Sequence, residues 1–282
     1  MKIDISSTAV EKGLDIAKNF LEKLIIPSVE ETGLLLKEQI TSWRFKNQVR
    51  MLNKAQNFCI ENNIKPKAIS LKLLCPLLEN ASLEDDEFLQ DKWAILLSNM
   101  VDSEQNIENH VFPFLLSQIS KTEFLILEKS IFLRKERQIK KWLELNSFSE
   151  TKESEKKKIE DEIERLETKN YEELRIKWKL QNEIRKLDEM ESIIKTELYR
   201  PEYINENDLE EFEMANLIRL GLVKNLPQHN VYTNGTEIRN DRDSDYLTID
   251  DLEINIESDG ELYIITELGD LFIEACKNKN SN

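Results

Sequence analysis

Pro76-Leu-Leu-Glu79-Asn-Ala-Ser82-Leu-Glu84-Asp85-Asp86-Glu87-Phe88-Leu89-Gln-Asp-Lys-Trp93-Ala-Ile-Leu96-Leu97-Ser-Asn99 is the stretch on which the reading of this chain turns. Ser82 followed by Asp85 resembles a helix-start box, with an acid where Glu or Gln is usual. Glu84, Asp85, Asp86 and Glu87 crowd that start, where a helix carries partial positive charge. Phe88, Leu89, Trp93, Leu96 and Leu97 then recur at helical spacing and make one apolar face. The stretch therefore predicts an acidic start followed by a core helix, with Trp93 as a core anchor. A metal site built from the four acids is the competing reading. Neighbouring acids point to different sides of a helix, and only partners three or four apart meet, so capping is preferred.

Outward from this block, the chain of 282 residues is long enough for two domains with real cores. Apolar residues make up 40%, an ordinary share for a folded protein. No Gly lies between Gly33 and Gly221, and neither Pro nor Gly lies between Pro113 and Pro201, which predicts long helices. The net charge is −16 and uneven. Residues 1–78 carry 12 basic and 8 acidic side chains, 79–110 carry 1 against 9, and 201–282 carry 6 against 19. The last segment would repel nucleic-acid phosphates. Cys59, Cys75 and Cys276 form no CxxC pair and argue for a reducing compartment. No signal peptide is visible, and no apolar run reaches the ~20 residues that span a membrane, so a cytoplasmic location is expected.

Residues 8–26 read as an amphipathic helix packed through Leu14, Ala17, Leu21 and Leu24. A second helix covers about 28–62 and includes Trp43-Arg44-Phe45-Lys46-Asn47. Its Arg44, Lys46, Arg50 and Lys54 are the best candidate anion patch, weighed against a solvated face partnered with the acidic block. Asn63 to Pro66 is a turn, and Ile69 to Leu78 a short apolar helix broken at Pro76. A long helix is expected over 121–146. Ser147 and Glu150 then form a capping box that restarts a second helix running to about Tyr199. Its seam runs through Ile159, Ile163, Leu166, Leu180, Ile184, Leu187, Ile194 and Leu198 and slips phase between Asn170 and Trp178. An antiparallel helical hairpin or a coil between two copies would both use such a seam. Trp178 is left as an exposed aromatic or as a side chain packed on the first helix.

After Pro201 the pattern changes. Asp208 to Leu220 reads as a helix stopped at Gly221, short strands follow at Leu222-Val223, Val231-Tyr232, Leu247–Ile249 and Leu262–Ile265, and Thr266 caps a final helix. This order is similar to the end of a winged-helix domain. The helix before Leu220-Gly221-Leu222 would be its recognition helix, but it carries Asp208, Glu210, Glu211 and Glu213 against Arg219 alone. That is the wrong sign for phosphate contacts. Asp241-Arg242-Asp243-Ser244-Asp245 has the odd-position acids of a calcium loop, yet Tyr246 replaces its glycine and Leu252 its final Glu. His110 and His229 are too few for a histidine metal site. No P-loop, GxSxG or HExxH occurs.

The block at Pro76 to Asn99 resembles the signature of the abortive infection alpha family of bacterial phage-defence proteins. The resemblance extends to Trp43–Asn47, Leu217–Val223 and Ile265–Cys276, with the Pro76 block as the specific part. It implies a role in phage defence and supplies no catalytic residues. The expected fold is mostly α. An N-terminal helical domain covers 1–118, and a C-terminal winged-helix-like α+β domain covers 119–133 and 201–282. A coiled-coil-like hairpin, 134–200, is inserted in the second. The expected function is anti-phage protection through protein–protein interaction, without enzymatic activity, cofactor or metal. The surface is expected at Arg44, Lys46, Arg50, Glu84, Asp85, Asp86 and Trp178. The partner would be a phage or host protein, with no nucleic acid and with a second copy of the chain as a further partner through the hairpin. A winged-helix transcriptional regulator is the alternative, and a toxin with an unrecognised hydrolase activity ranks below it.

Overall fold

The computed structural model describes the chain apart from residues 1–6, 26–41, 105–108, 167–169, 206–207, 235–236, 240–247, 251–252 and 280–282. Among the described residues there are nine helices and a small amount of antiparallel sheet, so the chain is mostly helical. It divides into two compact units: Met1–Glu128 together with Asn205–Asn282, and Lys129–Ile204.

The first unit begins with α1 (Ser7–Leu24), which buries Ala17, Phe20, Leu21 and Leu24 against α2 (Ser42–Glu61). The sequence-based start of the second helix at about residue 28 falls outside the described residues. On α2, Asn47, Met51, Leu52, Ala55 and Cys59 step by three and four and are buried. The helix ends where Asn63 takes a left-handed backbone, φ 54°. The amide of Ile64 then donates to the Cys59 carbonyl at 2.8 Å and that of Asn63 to Ile60 at 3.2 Å, which satisfies the orphan carbonyls of the last turn.

α3 (Leu71–Ala81) is capped by Ser70, whose hydroxyl accepts from the Lys72 amide. Pro76 lies inside this helix and does not break it, contrary to the sequence expectation. Its ring is exposed while Leu73, Leu74, Leu77 and Ala81 are buried, so packing on the other face offsets the one missing backbone bond. α4 (Glu87–Met100) follows, and its cap is Asp86 rather than Ser82. Asp86 has an extended backbone and its carboxylate accepts from the Leu89 amide at 3.0 Å. Ser82 instead closes α3, its hydroxyl donating to the Glu79 carbonyl at 2.6 Å. α4 is buried on more than one face, from Trp93 through Met100 without interruption.

α5 (Val111–Ser117) buries Phe112, Leu115 and Leu116. α6 (Lys121–Arg165) starts in this unit and contributes buried Phe124 and Leu127. α8 (Glu211–Arg219) begins three residues later than expected, on a capping box between Glu210 and Glu213. It ends at Gly221, whose φ of 71° suits a residue without a Cβ. β2 (Val223–Asn234) and β5 (Glu253–Ile265) are longer than the short strands expected and pair antiparallel from Val223↔Ile265 outward. The register shifts between Pro227 and His229, where proline has no N–H to give the ladder. β3 (Glu237–Arg239) and β4 (Thr248–Asp250) form a separate pair. α9 (Glu267–Ala275) is capped by Thr266, as expected, and Thr266 also donates to the Gly221 carbonyl at 2.6 Å. The candidate calcium loop lies outside the described residues.

The second unit holds the rest of α6, α7 (Tyr171–Tyr199) and the two-residue strand β1 (Tyr203–Ile204). α6 runs unbroken through residues 145–150, which corrects the expected stop and restart there. Ser147 and Thr151 turn their hydroxyls back onto the carbonyls of Glu144 and Phe148, at 2.9 and 2.8 Å, so they serve the helix interior rather than a cap. The break falls after Arg165, and Asn170 caps α7 by accepting from the Glu173 amide at 2.9 Å. The stretch of the expected phase slip, Asn170 to Trp178, begins at this break and runs into α7. Leu180, Ile194 and Leu198 are buried, and Arg137 reaches Glu202 and the Arg200 carbonyl.

Lys152 ties the two helices by pairing with Asp188 at 2.6 Å and with Glu191. Hydrogen bonds from Lys152 and then Lys195 pull the Glu191 carboxyl down to about 2. Glu191 thus contributes stability that is whole above its ordinary value of 4.5 and is lost as pH falls toward 2. We expect Lys152→Ala to move the Glu191 titration, followed by carboxylate NMR, back toward its ordinary range. An unshifted titration would mean the pair does not persist in solution.

Candidate functional site

The two sequence segments singled out above meet through backbone carbonyls. The Asn47 amide, at the end of Trp43–Asn47, donates to the carbonyls of Ser82 and Glu84 at 3.3 and 3.2 Å. Gln48 reaches the Leu78 carbonyl at 3.3 Å, and Gln90 turns back to that of Glu84 at 2.8 Å. The loop from Ser82 to Asp86 is thereby held from both sides.

Two of its acids, Glu84 and Asp86, are engaged by the same framework. The Glu84 carboxylate accepts from the Asp86 amide at 3.0 Å, and Asp86 caps α4 with Lys121 3.7 Å away. Asp85 is exposed. Among the described residues no group of three or more His, Cys, Asp or Glu side chains is arranged to hold a metal. Of the candidate basic patch, Arg44 and Lys46 are exposed, Arg50 donates to Gln90 at 3.4 Å, and Lys54 pairs with Asp91 at 2.5 Å. Arg50 and Lys54 therefore engage the block through α4. Trp178 lies in the other unit, 65% exposed on α7.

Aromatic side chains tie the block to the end of the chain. Phe124 makes edge contacts with Phe88 and with Phe272, at 5.6 and 6.0 Å between centroids, and Phe112 lies 6.1 Å from Phe272. Lys92 sits over the rings of Phe88 and Phe124 at 5.0 and 4.8 Å and pairs with Glu128 at 2.7 Å. α6 and α8 are also stitched at their starts. Glu123 caps its own helix at Ser120 and accepts from the Asn216 amide at 2.8 Å, while the Ser120 hydroxyl donates to Glu213 at 3.3 Å.

Sequence reasoning missed the polar residues that do this work. Asn99 is buried at the end of α4 and donates to the carbonyls of Ala275 and Lys277 at 2.9 and 3.0 Å, so it satisfies the C-terminal end of α9. Buried Asp102 accepts from Lys279 and from the Glu104 amide. An amide within the largely apolar second half of α4 was the only signal. Asn99→Ala leaves two carbonyls without that donor and is expected to cost ~1–3 kcal/mol, read as a lowered denaturation midpoint. Asn99→Asp, equal in size but unable to donate, should lose at least as much. An unchanged midpoint in both would show that water replaces the amide. Burial pushes the Cys59 thiol up to about 11 and that of Cys276 higher still, so neither is set up as a nucleophile, while Cys75 is exposed.

The arrangement defines a mostly helical protein whose most distinctive sequence segments serve its own architecture. It belongs to the abortive infection alpha family, whose model matches residues 37–276. That family implies a role in abortive infection, the bacterial defence against phage. No curated protein and no solved structure matches the chain. No helix among the described residues is long and apolar enough to cross a membrane.

Proposed function

We propose that this chain is a cytoplasmic anti-phage protein that acts by binding another protein, phage or host, and performs no catalysis of its own. The observation that carries the reading is the solvent face of α8. We read α8, the Gly221 turn, the β2–β5 ladder and α9 as a winged-helix-like domain completed by the first turns of α6. We read residues 1–118 as a helical domain and 134–200 as an inserted arm. In such a domain α8 would be the reading helix. Its exposed residues are Glu211, Phe212, Ala215, Ile218 and Arg219. Phe212 is 72% exposed, and one base answers one acid. A helix that enters the major groove needs polar and basic side chains there. An apolar face with an exposed aromatic suits a protein partner.

The transcriptional regulator remains the second reading, because the same element order serves it, and the hydrolase toxin ranks below. One experiment separates the first two. Phage plating is compared with and without the gene, and the purified chain is tested for a shift of duplex DNA. The gene is expected to reduce plaques and the protein, at low micromolar concentration, to leave DNA unshifted. A shift that weakens with salt would favour the regulator. Unchanged plating across a phage panel would overturn the defence role.

A further inference from the structure

Midway along α6 the chain reads Asn146-Ser147-Phe148-Ser149-Glu150-Thr151. All but Glu150 are modest helix formers, and the same run reads as a stop and a restart. The helix nevertheless passes through it, with side chains turned into its ladder. Ser147 donates to the Glu144 carbonyl at 2.9 Å, and Thr151 to those of Phe148 and Ser147 at 2.8 and 3.2 Å. Such back-bonding weakens a helix and favours a bend. α7 carries the same feature. Its Ser192-Ile193-Ile194-Lys195-Thr196 is rich in β-branched residues, and Thr196 donates to the Ser192 carbonyl at 2.8 Å.

The two weak segments lie level with each other. On their outer side Lys152 of α6 holds Asp188 of α7 at 2.6 Å, and Glu191 with it. On their inner side Arg137 of α6 holds Glu202 and the Arg200 carbonyl, just past the end of α7. The helices run antiparallel between these clips, which sets 146–151 beside the segment around 192–196. Packing there is thin. No side chain of α6 from Phe132 to Arg165 is buried, and within the two weak segments only Ile194 is.

We propose that this pair of segments is a joint. The outer part of the hairpin, held together by the Lys152 clip, swings about the inner part, held by the Arg137 clip. In the bent state α6 breaks at Ser147. Its hydroxyl leaves the Glu144 carbonyl and accepts from the Glu150 amide, while the Glu150 carboxylate accepts from the Ser147 amide. The break thus regains two hydrogen bonds for the ladder bonds it gives up. On α7 the same motion is a bend at Thr196. The joint is a property of the chain alone and does not depend on the partner proposed above.

The test measures distances between paired spin labels by pulsed electron spin resonance on the full chain, with exposed Cys75 replaced by Ser. Labels at Lys140→Cys and Lys158→Cys straddle the joint, roughly 27 Å apart along an unbroken helix. Labels at Arg175→Cys and Met190→Cys both lie on the outer side, roughly 22 Å apart. The straddling pair is expected to give a distribution at least about twofold wider than the outer pair, extended toward shorter distances. Replacing Ser147, Ser149, Thr151, Ser192 and Thr196 by Ala should narrow it to the width of the outer pair. Alanine favours the helix and removes both the back-bonds and the cap. All but Ser149 are exposed, so the variant without Ser149→Ala serves should the first melt early. A straddling distribution as narrow as the outer one in the wild type would overturn the joint. So would a wide one that the alanines leave unchanged. Equal breadth in both pairs would overturn it too, because the outer part would then not hold together.

Discussion

Trp93→Ala is expected to cost ~3–5 kcal/mol, among the largest losses any single truncation in this chain can produce. Trp93 is the largest fully buried side chain among the described residues, 1% exposed in the middle of α4. It is flanked along the helix by buried Leu89, Ala94, Leu96 and Leu97, so a cavity there has little room to collapse. Its indole Nε1 has no hydrogen-bond partner, so truncation also removes a buried unpaired donor and the loss comes from packing. Trp93→Phe should therefore be much milder. For a chain of this size each kcal/mol moves the midpoint by roughly 2–4 °C, which puts Trp93→Ala ~6–20 °C below wild type. A melt within a degree or two would place the ring outside the core and reopen the block as a binding surface.

Replacing residues 150–196 by a short Gly/Ser loop is expected to abolish phage protection and leave the remainder folded. The excision removes buried Leu180 and Ile194, the Lys152 ion cluster and exposed Trp178, all within the unit Lys129–Ile204. The unit built on Trp93, Phe124 and Phe272 keeps its own core. Retained helicity and an unchanged main melting transition, with plaque counts equal to a strain lacking the gene, are the outcomes to check. A folded, still protective short form would acquit the arm. Attention would then fall on the α8 face.

Helix faces were the most legible part of this fold. The step of three and four through Leu89, Trp93, Leu96 and Leu97 identified the buried side of α4, and Gly221 and Thr266 marked a stop and a start by chemistry that has few other uses. Boundaries were harder where one motif has two outcomes. Ser147 and Glu150 match a capping box, yet the hydroxyl bonds back to Glu144 and the helix continues. Ser82 and Asp86 could each cap α4. The choice coincides with Asn47, distant in sequence, binding the carbonyls of Ser82 and Glu84. The end of α2 was legible, since the turn expected from Asn63 begins where Asn63 takes its left-handed backbone. In the candidate surface, the charges of Arg50 and Lys54 pointed toward the block. Nothing local foretold that Asn99 would reach the far end of the chain, because a buried amide's partner is set by the tertiary fold alone.

The contacts of Phe272 with Phe112 and Phe124, and of Asn99 and Asp102 with the last turns, bear on how the protein is made. During synthesis the ribosome releases the N-terminal helices long before α9 leaves the exit tunnel, so their core stays open on one side until α9 emerges. A nascent chain interrupted before Ile265 would present Phe112 and Phe124 uncovered and would be a substrate for chaperones and proteases rather than a smaller working protein. Activity therefore requires α9, and a frameshift just before Ile265 should silence the gene as fully as one within α1.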